Sequence, residues 1–306
     1  MLAKSTDMYV VLFGAGASYG SDNSNVPSLG NNLMDALAQF APNSWGALPQ
    51  KYKDQCKKDF EQGVLLLSQE QPFMLPRLQR AMAAYFFKFA LGVNSLYLKF
   101  ANRIKRSNWN LKGHLVTLNY ERLLTHSLFT AGLQPIVGSE PVNKNQIEVC
   151  LPHGICNLFC ESVQATGGVS FSLGVGFDGE LKFVEELLDF NNRILGNAIP
   201  PVMCYFEPQK RTNAGNNFIL NQRNRYAELI HNSSKVALIG LKVRPLDTHI
   251  WNPLAQTNAE LVYCSGTKSC NEFLDWSKTA RPDKANKVLE GYFSAQFENI
   301  CSELEL

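Results

Sequence analysis

The chain lacks most of the features that would assign it quickly. None of its 306 residues falls in a run approaching about 18 uncharged apolar residues, so no membrane span is expected. Its first residues, "MLAKSTD", carry charge ahead of the first apolar run and leave no apolar core for a signal peptide. Charge of one sign is not in excess. A net charge of +2 gives no support for nucleic-acid binding. There are eight cysteines but no Cys-x-x-Cys pair, in a chain far too long to need disulfide staples. That combination predicts reduced thiols and a cytoplasmic protein. Internal repeats and extended low-complexity tracts are missing as well.

What is present is a core. With 45% apolar and 18% charged residues, the sequence fits one large α/β domain or a domain carrying an insertion. Residues 8–13 form a nearly continuous apolar run, as in a strand buried on both faces of a parallel sheet. A helix is expected over 29–40, with Leu33, Leu37 and Phe40 on one face. From 45 to 106 the pattern is helical, with Pro72 and Pro76 where a helix can begin. Further strands are expected at 114–118, 147–151, 202–206, 235–240 and 260–264. Helices are expected at 121–131, 217–231 and 285–301. Residues 161–180, rich in Gly and Ser, predict a hairpin or mobile loop. Strands alternating with helices predict a doubly wound, Rossmann-like parallel sheet. The core would be 1–34 and 107–306, with 35–106 as a helical insertion.

Four stretches fall at expected strand ends, where open α/β sheets bind ligands. "VVLFGAGASYGSDNSNVPSLGNNL" lacks the third glycine of G-x-G-x-x-G and the Gly-Lys-Ser/Thr of a P-loop. Its Gly14-Ala15-Gly16-Ala17-Ser18 turn either lets a pyrophosphate approach bare backbone N–H groups, with the Ser18 hydroxyl as a donor, or is a tight turn. In "LVTLNYERLL", Asn119 either holds a ribose hydroxyl or a water, or caps the following helix. In "CLPHGICNLFC", His153 follows a strand and precedes Gly154, a position open to catalysis or to a structural role. Cys150, Cys156 and Cys160 lack zinc-site spacing, so no metal is expected. In "KVALIGLKVRPLDTHIW", Gly240 permits close approach of a ligand, and Asp247 and His249 either serve the ligand or cap a helix, with capping the favoured role for Asp247.

In that order, Gly-Ala-Gly-Ala-Ser, Thr-x-Asn-Tyr-Glu, His-Gly and Ile-Gly-x-x-Val-x-Pro resemble the sirtuin family. They most resemble its divergent branch in bacterial anti-phage defence proteins. The resemblance covers the first 34 residues and about 110–265. It implies an NAD-binding loop at Gly14, Ala15, Gly16, Ala17 and Ser18, with the loop proline at Pro27 and Ser28 beside it. It implies catalytic roles for Asn119 and His153, and a ribose-binding turn at Gly240. There are departures. The zinc-binding Cys-x-x-Cys pairs are missing, Ser28-Leu29 replaces Phe-Arg, and Leu241-Lys242 replaces Thr-Ser. These point away from lysine deacylation.

The resemblance therefore implies an NAD⁺ glycohydrolase that releases nicotinamide and ADP-ribose. NAD⁺ would be its substrate, and a homo-oligomer or a regulatory partner protein would control it. A sirtuin-type deacylase or ADP-ribosyltransferase, or a non-catalytic NAD- or ADP-ribose-binding subunit, are the alternatives.

Overall fold

The computed structural model describes residues 8–22, 25–165, 177–196 and 199–306. Strand β1 (Tyr9–Phe13) is buried along its whole length. Alternation sends Val11 and Phe13 into one apolar cluster and Val10 and Leu12 into another. Helices α1 (Ala15–Tyr19) and α2 (Gly30–Phe40) follow, then α3 (Gln50–Lys58), α4 (Phe60–Glu70), α5 (Leu75–Phe87) and α6 (Leu96–Ser107). Next come β2 (Gly113–Thr117), α7 (Leu123–Thr130), β3 (Gln134–Val137) and β4 (Gln146–Cys150). The antiparallel pair β5 (Leu158–Ala165) and β6 (Phe177–Phe183) precedes α8 (Leu187–Gly196) and α9 (Asn216–Asn232). The chain continues through β7 (Lys235–Ile239), α10 (Thr248–Gln256), β8 (Glu260–Ser265), α11 (Thr267–Ala280), β9 (Asn286–Glu290) and α12 (Phe293–Glu303).

Seven strands form one parallel sheet in the order β3-β4-β2-β1-β7-β8-β9. One face is covered by α2–α8 and α12, the other by α9, α10 and α11. The fold is α/β, doubly wound and Rossmann-like. From β1 the chain builds outward to β2, β4 and β3 on one side, then returns to lay β7, β8 and β9 on the other. The boundary between β1 and β7 is thus the switch point, and ligands bind outside the carboxyl ends of strands at such a point. Among the described residues, no helix is long and apolar enough to cross a membrane.

Several local expectations are corrected. Residues 285–301 are not one helix, because β9 takes the first part as an edge strand and α12 begins at Phe293. Residues 202–206 join no strand of the sheet, and Met203 makes only an isolated bridge to Gly154. The buried run pairs instead with the chain after β4, where Val202 N–H donates to the Leu158 carbonyl and Cys204 N–H to the His153 carbonyl. Strand β3 was not expected. The polar loop after Gly14 begins with a helical turn, α1. Helix α7 starts at Leu123 with Arg122 at its cap, so Asn119 does not cap it. A hairpin does form around 161–180, but its 166–176 tip lies outside the described residues.

Candidate functional site

The carboxyl ends of β1 and β7 meet through glycines. Gly14 N–H donates to the Ile239 carbonyl and Gly16 N–H to the Gly240 carbonyl, each at 2.9 Å. A Cβ on Gly14 or Gly16 would come within 2.7 or 2.9 Å of the Gly240 oxygen. Gly240 itself has φ +66°, and a Cβ there would meet the Ala17 nitrogen at 2.1 Å. The glycines are therefore required by the fold alone. The expected bare N–H groups at Gly14 and Gly16 are already bonded, which corrects the reading of the loop as an open amide cradle. Ala17 is also corrected: its side chain is in the core and its N–H bonds the Gly14 carbonyl, so it does not reach the cavity.

A cavity of about 600 Å³ opens above this junction, a volume suited to a drug- or cofactor-sized ligand. Gly14, Ala15, Gly16 and Ser18 form one wall, with Pro27 and Ser28 from the following loop. Asn119, His153 and Gly240 line it as well. Tyr85 on α5 holds the Ser28 N–H at 3.2 Å, which ties this loop to the helical segment.

Asn119 lies past the end of β2 and is only 7% exposed. Its Nδ2 donates to the Gly14 carbonyl at 3.1 Å and to Ser18 Oγ at 2.8 Å. A carbonyl only accepts, so the amide nitrogen must face Gly14 and the amide oxygen must turn away from it. Ser18 Oγ donates to Glu121 Oε1 at 2.5 Å. The expected Ser18 donor is thus committed inside the protein. Burial lifts the Glu121 pKa, against hydrogen bonds from Ser18, the Leu123 N–H and Asn119.

His153 is buried on the loop after β4. Its Nε2 meets His249 Nε2 at 2.9 Å. One of the two facing nitrogens carries the proton and the other accepts the hydrogen bond. Burial, with His249, Lys210 and Arg223 nearby, holds the His153 pKa well below its usual value. Burial beside Arg223 and Lys210 takes His249 down to about 3. The pair is neutral at physiological pH.

Sequence reasoning missed a charged cluster in the same cavity. Asp59 caps α4 by accepting from the Glu61 and Gln62 N–H groups, which fixes Glu61 in the first helical turn. Glu61 then pairs with Lys210 Nζ at 2.7 Å and Arg244 Nη1 at 2.5 Å. Lys210 also donates to the Glu207 carbonyl, and Arg223 donates to the Lys210 carbonyl. Asp247 holds the cap position of α10, but its side chain makes no capping bond, which corrects its reading as a cap. Its carboxylate lines the cavity, and Oδ1 is buried without a hydrogen-bond partner. The Tyr120 hydroxyl, also in the cavity wall, is buried and unpartnered among the described residues. Buried polar atoms without partners mark places where a ligand completes the bonding. Nothing in one sequence ties Glu61 to Lys210 across 149 positions. Asp247 alone carried a signal, as a polar residue after a strand end.

Lys242 and Lys268 line the cavity without an acidic partner among the described residues. They lie beside Gly266, which precedes the 14-residue helix α11, whose first turn contains no acid. That end of the cavity favours negative charge. Among the described residues no group of three or more His, Cys, Asp or Glu could hold a metal ion.

No model of a known protein family matches the chain, and no curated protein does. Among the solved structures similar to it are two of Sir2 homologues. A crystal structure of a Sir2 homologue–NAD complex is 13% identical, covering 97% of this chain and 89% of that chain with a TM-score of 0.48. A Sir2 homologue mutant in complex with ADP-ribose is 14% identical, covering 97% and 92% with a TM-score of 0.47. The likeness is one of fold. At these scores it adds nothing to what the strand order already establishes.

Proposed function

We propose that the chain binds NAD⁺ and hydrolyses its nicotinamide–ribose bond, as a regulated NAD-depleting effector of the kind found in bacterial anti-phage defence. One observation carries the reading: a dinucleotide-sized cavity at the switch point is lined by the glycine junction, Asn119 and His153 together. The diphosphate would lie against the small residues of the loop, with Lys242 and Lys268 supplying charge. Binding energy taken there is remote from the bond that breaks.

The leaving group is a neutral pyridine departing from a cationic glycoside, so it needs no acid. The remaining tasks are to orient the ribose, to stabilise an oxocarbenium-like carbon and to admit water. The amide oxygen of Asn119 is free to hold a ribose hydroxyl or the water, because its nitrogen is pinned by Gly14 and Ser18. His153 would contact the ribose as a neutral imidazole. No metal is called for. Restraint would come from self-assembly or a partner protein in the cytoplasm. The 45–106 helical segment is the surface for it or a cap over the cavity.

The test is nicotinamide release from NAD⁺ by the purified protein, alone and with the products of neighbouring genes. Asn119→Ala should lower it about 10²-fold or more, since misplacing the reactants costs that much. Turnover only with an acyl-peptide, giving O-acetyl-ADP-ribose, indicates the deacylase instead. Binding without turnover under every condition indicates a binding subunit, and no binding leaves the loops as turns.

A further inference from the structure

We propose that Asp247 is the group that takes the proton from the attacking water. This rests on the NAD⁺ hydrolysis reading and names the chemistry of that same cavity. When the C1′–N bond breaks, its electron pair leaves with the nicotinamide nitrogen. The water oxygen then bonds to C1′ and must shed one proton. That proton passes to the Asp247 carboxylate and on to solvent, so NAD⁺ and water give nicotinamide, ADP-ribose and H⁺.

Three features of the geometry point to Asp247. It lines the cavity, is 7% exposed, and keeps Oδ1 without a hydrogen-bond partner. Its nearest cation, Lys210 Nζ at 3.9 Å, lies beyond hydrogen-bond reach and is already held by Glu61 and the Glu207 carbonyl. Helix α10 does not use the carboxylate as a cap. His153, in contrast, has its Nε2 engaged by His249.

Proton affinity agrees. Burial raises the Asp247 pKa to about 6, with Lys210, Arg244 and Arg223 opposing and Glu61 adding to it. His153 lies well below its usual value, and His249, two residues along α10, lies at about 3. At neutral pH Asp247 is ionised, and its pKa lies near the value a general base needs.

A pyridine nitrogen that attacks the same carbon carries no proton. Exchange of isotope-labelled nicotinamide into NAD⁺ therefore needs no base, whereas hydrolysis does. Asp247→Asn should lower hydrolysis by about 10²–10⁴-fold and leave exchange within a few-fold of the unaltered protein. Equal loss of both, or loss of neither, overturns the assignment. Should the variant fail to fold, the unaltered protein decides. Its ratio of hydrolysis to exchange should rise with pH through about 6, and a flat ratio overturns the proposal. If the unaltered protein binds NAD⁺ but neither hydrolyses nor exchanges it under any activating condition, the NAD⁺ hydrolysis reading itself falls, and this assignment with it.

Discussion

Gly16 donates its N–H to the Gly240 carbonyl at 2.9 Å, and a Cβ added to Gly16 would lie at the same distance from that oxygen. One hydrogen bond and one steric limit thus lock the end of β1 to the end of β7. Gly16→Val should therefore damage the fold first. Overpacking of this kind costs about 1–3 kcal/mol. The check is a thermal melt beside calorimetric NAD⁺ affinity. A variant with an unchanged Tm and lost affinity would show that the glycine serves the ligand alone.

The strands at the centre of the sheet were legible because burial on both faces writes itself as an apolar run, as in Tyr9–Phe13 and Lys235–Ile239. The edges were not. β3, Gln134–Val137, has four residues, includes Pro135 and is half-exposed, so it carries no run. In β9, Val288 and Leu289 are adjacent and only partly buried, a pattern that a helix also satisfies. The site shows the same division. Asn119, His153 and Gly240 follow strands, and chain position alone puts them at one sheet edge. Glu61 reaches the cavity only because α4 folds back over it and Lys210 arrives from a distant loop. Such pairings are products of tertiary packing and leave no local trace.

Metal removal should change nothing. The eight cysteines are free and buried, and burial pushes the thiols up, to about 11 for Cys160 and about 12 for Cys56. Protonated thiols are poor zinc ligands. Incubation with a chelator should leave both Tm and nicotinamide release as they were. Stoichiometric zinc in elemental analysis, held around Cys150, Cys156 and Cys160, would contradict this and revive the deacylase.

Glu148 on β4 is fully buried and grips Arg225 at 2.7 and 2.9 Å and His114 at 2.8 Å. Burial works to raise its pKa, but Arg225 and His114 overcome it and hold the carboxyl at about 2. Its contribution is complete above the unfolded value of about 4.5 and is lost as pH falls toward 2. The size is about 1–3 kcal/mol. Glu148→Gln should lower stability at pH 7 and flatten the acid limb of a denaturation curve between pH 4.5 and 2. An unchanged acid limb would remove Glu148 from the account.

His153 and His249 make the last test, because their shared hydrogen bond links stability to catalysis. Unfolded, each imidazole takes a proton near pH 6.5; folded, both resist it. Below pH 6.5 the unfolded chain therefore binds more protons, and stability that is full above that pH is lost on acidification. At pH 5 the loss is roughly 2 kcal/mol for His249, and His153 adds to it in the same direction. Asp247 acts in the opposite sense between pH 3.8 and about 6, recovering roughly 1 kcal/mol. His153→Ala should flatten the fall in Tm between pH 7 and 5. It should also lower Tm at pH 7, because His249 loses a buried partner, at about 1–3 kcal/mol. Turnover separates the two roles. Nicotinamide release per folded molecule should drop about 10²-fold, because a misplaced ribose costs that much, while calorimetric NAD⁺ affinity changes far less. Full turnover per folded molecule at a lowered Tm would make His153 a brace for the loop after β4 and leave the bond-breaking step to Asn119, with Asp247 taking the proton from water.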